Sequence, residues 1–191
     1  MRFERVKVSA LELYWTGGFA GTSLDDLREA TGLNRPSLYA AFGDKQAIFL
    51  KAADQFRTMM RARQMEALRR GKTPVEGVTR FLLSGVEIYV SGGGRGCMVM
   101  STTAVEAVED ESVRTFLRAT LAEIRAGLNG WLRHLVDEGA LRDDTDTDLV
   151  AWQIESTSLS LGIHARAGSP RSELAQLARK SARALLSPLL S

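Results

Sequence analysis

Apolar residues return at three- and four-residue steps along almost the whole chain, and no long β-branched alternation appears. That periodicity constrains the fold most, because only a helix turns such spacing into one continuous face. Glycine and proline punctuate the pattern. The first segment runs from about Arg2 to Thr16, with Phe3, Val6, Ala10, Leu13 and Tyr14 on one face, and Gly17–Gly18 stop it. Thr22 or Ser23 then caps a short helix with Asp25 and Asp26 in its first turn, where the helix dipole favours acids. Asn34 caps the next helix. Pro36 lies in its first turn, where a missing N–H costs little.

Asp44 opens a long fourth helix that reaches about Arg69. The box "TPVE", residues 73–76, opens a fifth, whose Val75, Val78, Leu82, Val86 and Tyr89 point inward. The run "SGGGRG", residues 91–96, breaks the pattern before a short apolar helix over about 97–108. Asp110 caps a long helix carrying Val113, Leu117, Leu121, Ile124, Leu128, Trp131 and Leu135. Two more follow over about 147–165 and 170–186. The expected fold is all-α, with about nine helices. Residues 1–50 form a helix-turn-helix domain, and residues 51–191 form a longer, more apolar helical domain.

A hydrophobic share of 45% in 191 residues is enough for a real core. Net charge is only +2, so an anionic partner must be met by a local patch rather than by the whole surface. One cysteine excludes an internal disulfide and points to a reducing compartment. The N-terminus mixes charges among its apolar residues, unlike a signal peptide, and no run approaches the roughly 20 apolar residues of a membrane span. The expected location is the cytoplasm.

Residues 23–42 read as two short helices across a tight turn at Gly32. Leu24, Leu27 and Ala30 face inward from the first, and Leu33, Leu38 and Phe42 from the second. Arg35, Ser37, Tyr39 and Ala40 are left outside. That set suits a duplex: arginine grips phosphate or guanine, a hydroxyl donates to phosphate, and tyrosine does either while its ring packs on sugar or thymine methyl. Lys45 adds a cation at the start of the fourth helix, beside N–H groups that favour anions. Thr22, Asn34, Arg35, Ser37, Tyr39 and Lys45 are the candidate DNA contacts. An ordinary helical hairpin with a polar outer face is the alternative.

The stretch "GFAGTSLDDLREATGLNRPSLYAAFGDKQAIF" resembles the DNA-binding domain of the tetracycline-repressor (TetR) family of transcriptional regulators. The resemblance is carried by Gly18–Phe19, Thr22–Ser23, Ala30 with Gly32 and Leu33, Leu38–Tyr39, Phe42 and Lys45. The chain departs from the family pattern at Ala40–Ala41, where bulkier residues are common, and at Thr31, where glycine directly after alanine is usual. The resemblance implies a ligand-responsive regulator: a repressor that binds a palindromic DNA operator as a homodimer and is released by a small apolar or amphipathic effector. It implies an interface on the last two long helices, here Leu149, Leu159, Ile163, Leu174, Leu177 and Leu185, with Trp152 beside them. It implies a pocket among the middle helices, for which Phe81, Tyr89, Met98, Met100, Phe116, Trp131 and Trp152 are the candidates, plain core being the alternative for each. Effector entry would shift the fourth helix, biasing one rearrangement shared with DNA.

Cys97 follows the glycine run and opens a helix, where a thiol pKa falls, with Arg95 close in sequence. It is the candidate redox residue, and an electrophile or oxidant sensor of the same fold is the alternative function. "DDTDTDLVAWQIE" mimics a calcium loop, but Leu149 stands where glycine is required. His134 and His164, the only histidines, belong to no metal-ligand pattern. No cofactor or metal is expected. No nucleophile–base set or phosphate loop supports an enzyme, which survives only as a helical-bundle alternative.

Overall fold

The computed structural model describes the backbone from Arg2 and the side chains from Val8 to Ser191. The expected contributions of Phe3 and Val6 to the first helical face lie outside the described residues. Nine helices form among the described residues: α1 (Arg2–Gly17), α2 (Leu24–Thr31), α3 (Arg35–Phe42), α4 (Lys45–Arg69), α5 (Pro74–Tyr89), α6, α7 (Glu111–Asp137), α8 (Thr147–Arg166) and α9 (Arg171–Leu186). Helix α6 starts as a wide π-helical turn, Val99–Thr103, and runs into Ala104–Glu106. No strand forms among the described residues, and a single isolated bridge joins Leu141 to Leu190.

The chain gathers into two compact units, Met1–Met59 with Met98–Arg118, and Met60–Cys97 with Ala119–Ser191. The first unit takes in the expected helix-turn-helix segment, residues 1–50, together with Met98–Arg118. Helices α4 and α7 each contribute to both units, and the chain returns to the first at Met98.

In the first unit the core is aromatic. Tyr14 meets Phe49 edge-on at 5.2 Å between centroids, Phe19 lies 5.2 Å from Phe49, and Trp15 meets Phe56 at 4.8 Å. Such pairs add to simple burial. Leu27, Leu38 and Phe42 reach this unit's interior from α2 and α3. The Tyr14 hydroxyl donates to the Lys45 carbonyl at 3.1 Å, tying α1 to the first turn of α4. Burial raises the Tyr14 pKa well above the usual phenol range, so the hydroxyl stays a donor.

In the second unit, α9 buries Leu174, Ala178, Ala182 and Leu186, one residue per turn, and packs on α5 and α8. Gly77 on α5 makes room for Trp131, since a Cβ there would lie 2.8 Å from the indole. The expected cap at Thr73 forms, its hydroxyl accepting from the Glu76 N–H at 3.2 Å. Asp146 caps α8 by accepting from the Leu149 N–H at 3.0 Å. The acidic run before α8 thus includes a helix start.

Candidate nucleic-acid interface

Local chemistry fixes the helix-turn-helix. Ser23, not Thr22, caps α2: its hydroxyl accepts from the Asp26 N–H at 3.1 Å, and the Asp26 carboxylate accepts from the Ser23 N–H at 2.7 Å. Those Ser23 hydrogen bonds hold the Asp26 carboxyl below its usual pKa. Gly32 ends α2 in the left-handed conformation, φ 68°, which a β-carbon would disfavour. Asn34 caps α3, its side-chain oxygen accepting from the Ser37 N–H at 2.9 Å. Lys51 holds the other end: its ammonium donates to the Phe42 carbonyl at 2.9 Å.

The consequence is a helix anchored on two side chains. Leu38 and Phe42 are buried one turn apart, and Asn34, Arg35, Pro36, Ser37, Tyr39, Ala40 and Ala41 are all exposed. Tyr39 keeps 43% of its surface free, so its ring and hydroxyl are open to a partner. Ala40 and Ala41 leave the helix surface low beside it, so a partner can approach the backbone closely. The Lys45 ammonium sits 4.4 Å above the Phe19 ring, a cation–π contact that fixes a positive charge at the start of α4.

One candidate contact is corrected. Thr22 is buried, and its hydroxyl donates to the Gly18 carbonyl at 2.8 Å. Its side chain pins the α1–α2 turn and is not presented. Two roles were not foreseen from sequence: that of Lys51, nine positions from the carbonyl it caps, and that of Asp25, which pairs with Arg35 at 2.8 Å. Neither partner follows from helical periodicity.

The candidate pocket residues are distributed over the two units. Phe81, Tyr89, Trp131 and Trp152 belong to the second unit, and Met98, Met100 and Phe116 to the first. Phe81 and Tyr89 are buried; Phe116 lies half-buried under the Arg57 guanidinium at 5.5 Å. Trp152 is 52% exposed, and with Leu149, Ala122 and Ala126 it walls an open groove of about 590 Å³ between α7 and α8. It therefore belongs to the outer surface of α8. A polar network missed in the sequence lies inside the second unit. The Tyr89 hydroxyl and the Ser158 hydroxyl are 3.2 Å apart, and the Gln64 amide donates to Ser158 at 3.3 Å. Burial first, then the Cys97 thiol, raise the Tyr89 pKa. Cys97 is half-buried, and Gly162 makes room for it, since a Cβ there would lie 3.2 Å from that of Cys97. Glu155 is buried against Arg125 at 3.0 Å; burial raises its pKa and the arginine opposes that.

The candidate interface residues also divide. Leu149, Ile163 and Leu177 are exposed, Leu159 and Leu185 are half-buried, and Leu174 is fully buried. Leu174 is corrected to core, because it lies on the stripe by which α9 packs into its own chain.

The model for bacterial regulatory proteins of the tetR family matches residues 8–52, and that for the tetracyclin repressor-like C-terminal domain matches residues 74–181. The chain belongs to the TetR family of transcriptional regulators. It is a DNA-binding transcriptional regulator of that family. It is 25% identical over 154 residues to the HTH-type transcriptional regulator YezE of Bacillus subtilis, covering 80% of this chain and 79% of that one. It is 24% identical over 171 residues to the transcriptional repressor ComR of Escherichia coli, covering 88% and 81%. Among solved structures, a cysteine mutant of the TetR-family regulator CifR in complex with 26-bp double-strand operator DNA superposes with a TM-score of 0.87. That pair is 28% identical over 95% of each chain. A TetR regulator from Chloroflexus aurantiacus superposes with a TM-score of 0.84 at 26% identity, covering 99% of this chain and 96% of that one. Among the described residues no helix of this TetR-family chain is long and apolar enough to cross a membrane.

Proposed function

We propose that this chain represses transcription by binding a palindromic operator as a homodimer, with α3 of each copy in a major groove, and that a small apolar or amphipathic effector releases it. The observation that carries the DNA reading is the division of α3. Two buried apolar residues anchor it, and every other side chain, Arg35, Ser37 and Tyr39 among them, faces outward. Arg35 and Tyr39 are the proposed base or sugar contacts, Asn34, Ser37 and Lys45 the phosphate contacts. Eight residues of helix read few base pairs, so two copies related by a two-fold axis read a palindrome.

The exposed stripe on α8 supports the dimer. Leu149, Trp152 and Ile163 are each at least half-exposed at helical spacing, and Leu177 is exposed on α9. A lone chain would leave that apolar surface in water. ComR of Escherichia coli is a named repressor, which supports repression here. For the effector, Phe81, Tyr89 and Trp131 of the second unit are the proposed lining, since aromatic walls with a few hydrogen-bonding groups suit small ligands. The reading places the protein in the cytoplasm, beside its DNA.

Selection of bound duplexes from a random pool tests the operator. The expected consensus is an inverted repeat; enrichment of a single unpaired half-site contradicts the dimer reading. A change in operator occupancy on adding the compound handled by the regulated genes tests release.

A further inference from the structure

The arginine assigned to DNA already has a partner. Arg35 Nη2 donates to Asp25 Oδ2 at 2.8 Å, joining the first turn of α3 to the first turn of α2. The other oxygen of the same carboxylate lies 3.6 Å from Arg28 Nε. Asp25 is not needed as a cap, since Ser23 and Asp26 form the capping box. Both its oxygens are therefore turned to arginines. More than half of each side chain in the Asp25–Arg35 pair is open to water, so the pair adds little to folding stability.

An acid beside a surface that meets a polyanion weakens binding to every duplex unless it serves another purpose. We propose that Asp25 is a positioning residue that sets specificity: its carboxylate competes for the Arg35 guanidinium, and that competition weighs more against a phosphate contact than against a base-edge contact. The inference rests on Arg35 being a DNA contact. A phosphate offers Arg35 one charge in exchange for the one it leaves, and brings its own charge toward Asp25. A guanine edge offers two parallel acceptors, O6 and N7, without that repulsion. Random duplex supplies the first exchange at every position and the second only where a guanine falls in register with Arg35; the operator supplies the second in register. The resting pair therefore penalises random duplex more than operator.

A double-mutant cycle tests this. The full-length wild type, Asp25→Asn, Arg35→Ala and the double variant are titrated against the selected operator and a random-sequence duplex at several salt concentrations. Asp25→Asn is expected to tighten binding to random duplex by about 3–10-fold and to operator by less than about 2-fold, and to steepen the salt dependence on random duplex by about one ion. With Arg35 already alanine, the same change is expected to leave the operator-to-random ratio unmoved. Asp25→Glu, which keeps the charge, is expected to restore the wild-type ratio. The inference is overturned if Asp25→Asn shifts both duplexes equally, or if its effect on the ratio persists without Arg35. If Arg35→Ala binds both duplexes as the wild type does, the reading of Arg35 itself has failed, and that result is visible apart from the other two.

Discussion

Helices α3 and α8 each turn an unusual face to solvent, and the faces differ in kind. On α3 the exposed side chains are Arg35, Ser37 and Tyr39 around two alanines; on α8 they are Leu149, Trp152 and Ile163. Charged and hydroxyl groups on a low surface suit phosphates and base edges. Large apolar groups at helical spacing suit a second protein surface, where burial supplies the energy. Both helices belong to one chain with the same net charge and composition, so the type of exposed residue, not its mere exposure, indicates the partner.

The contrast is broken most severely by putting charge into the apolar stripe. Trp152→Glu with Ile163→Glu is expected to leave helix content intact, since both positions are solvent-facing in the lone chain. Self-association by sedimentation should weaken at least about a hundredfold, which is about 2.7 kcal/mol, and operator binding should fall with it.

Leu174 and Leu177 sharpen the contrast between core and surface. Leu174→Ala, on the fully buried side of α9, is expected to cost about 2–4 kcal/mol in denaturant unfolding. Leu177→Ala, on the exposed side, is expected to cost less than about 1 kcal/mol at concentrations where the chain is monomeric.

On the polar face, Arg35→Ala or Tyr39→Ala is expected to cost about 1–3 kcal/mol in operator affinity while the unfolding midpoint barely moves. A small effect is expected at the cap. Ser23→Ala is expected to lower stability by about 1 kcal/mol at neutral pH, read by thermal unfolding. Because Ser23 holds the Asp26 pKa below its ordinary 3.8, that part of the stability is present above pH 3.8 and is lost as the carboxyl protonates below it. The difference between Ser23→Ala and wild type should therefore shrink in acid.

The helix starts and the inner and outer sides of α3 were legible in the sequence because their causes are local. Asn34, Pro36, Gly32 and the four-residue spacing of Leu38 and Phe42 act within a turn or two of each other. Thr22 was counted among the DNA contacts because a hydroxyl beside a helix start suits a phosphate by type, and only the packing of the α1–α2 turn buries it. Leu174 was misplaced for a related reason, while Trp152, named for both the pocket and the interface, lies on the exposed face of α8. On α9, Leu174 and Leu177 are three residues apart and both fit one helical stripe, so the sequence alone does not say which way the helix is rotated. Asp25 with Arg35, and Gln64 with Ser158, are separated by 10 and 94 positions, and no periodicity reports such pairs.

The most direct measurement is a base-by-base titration of the selected operator with wild type and with the Arg35→Ala, Tyr39→Ala double variant. If α3 is the reading surface of a symmetric dimer, the sensitive positions fall in two-fold related pairs, and the double variant loses preference at one or more of those pairs while retaining weaker binding overall. An unchanged sensitivity map in the double variant would contradict it, and would place the reading surface elsewhere on the chain.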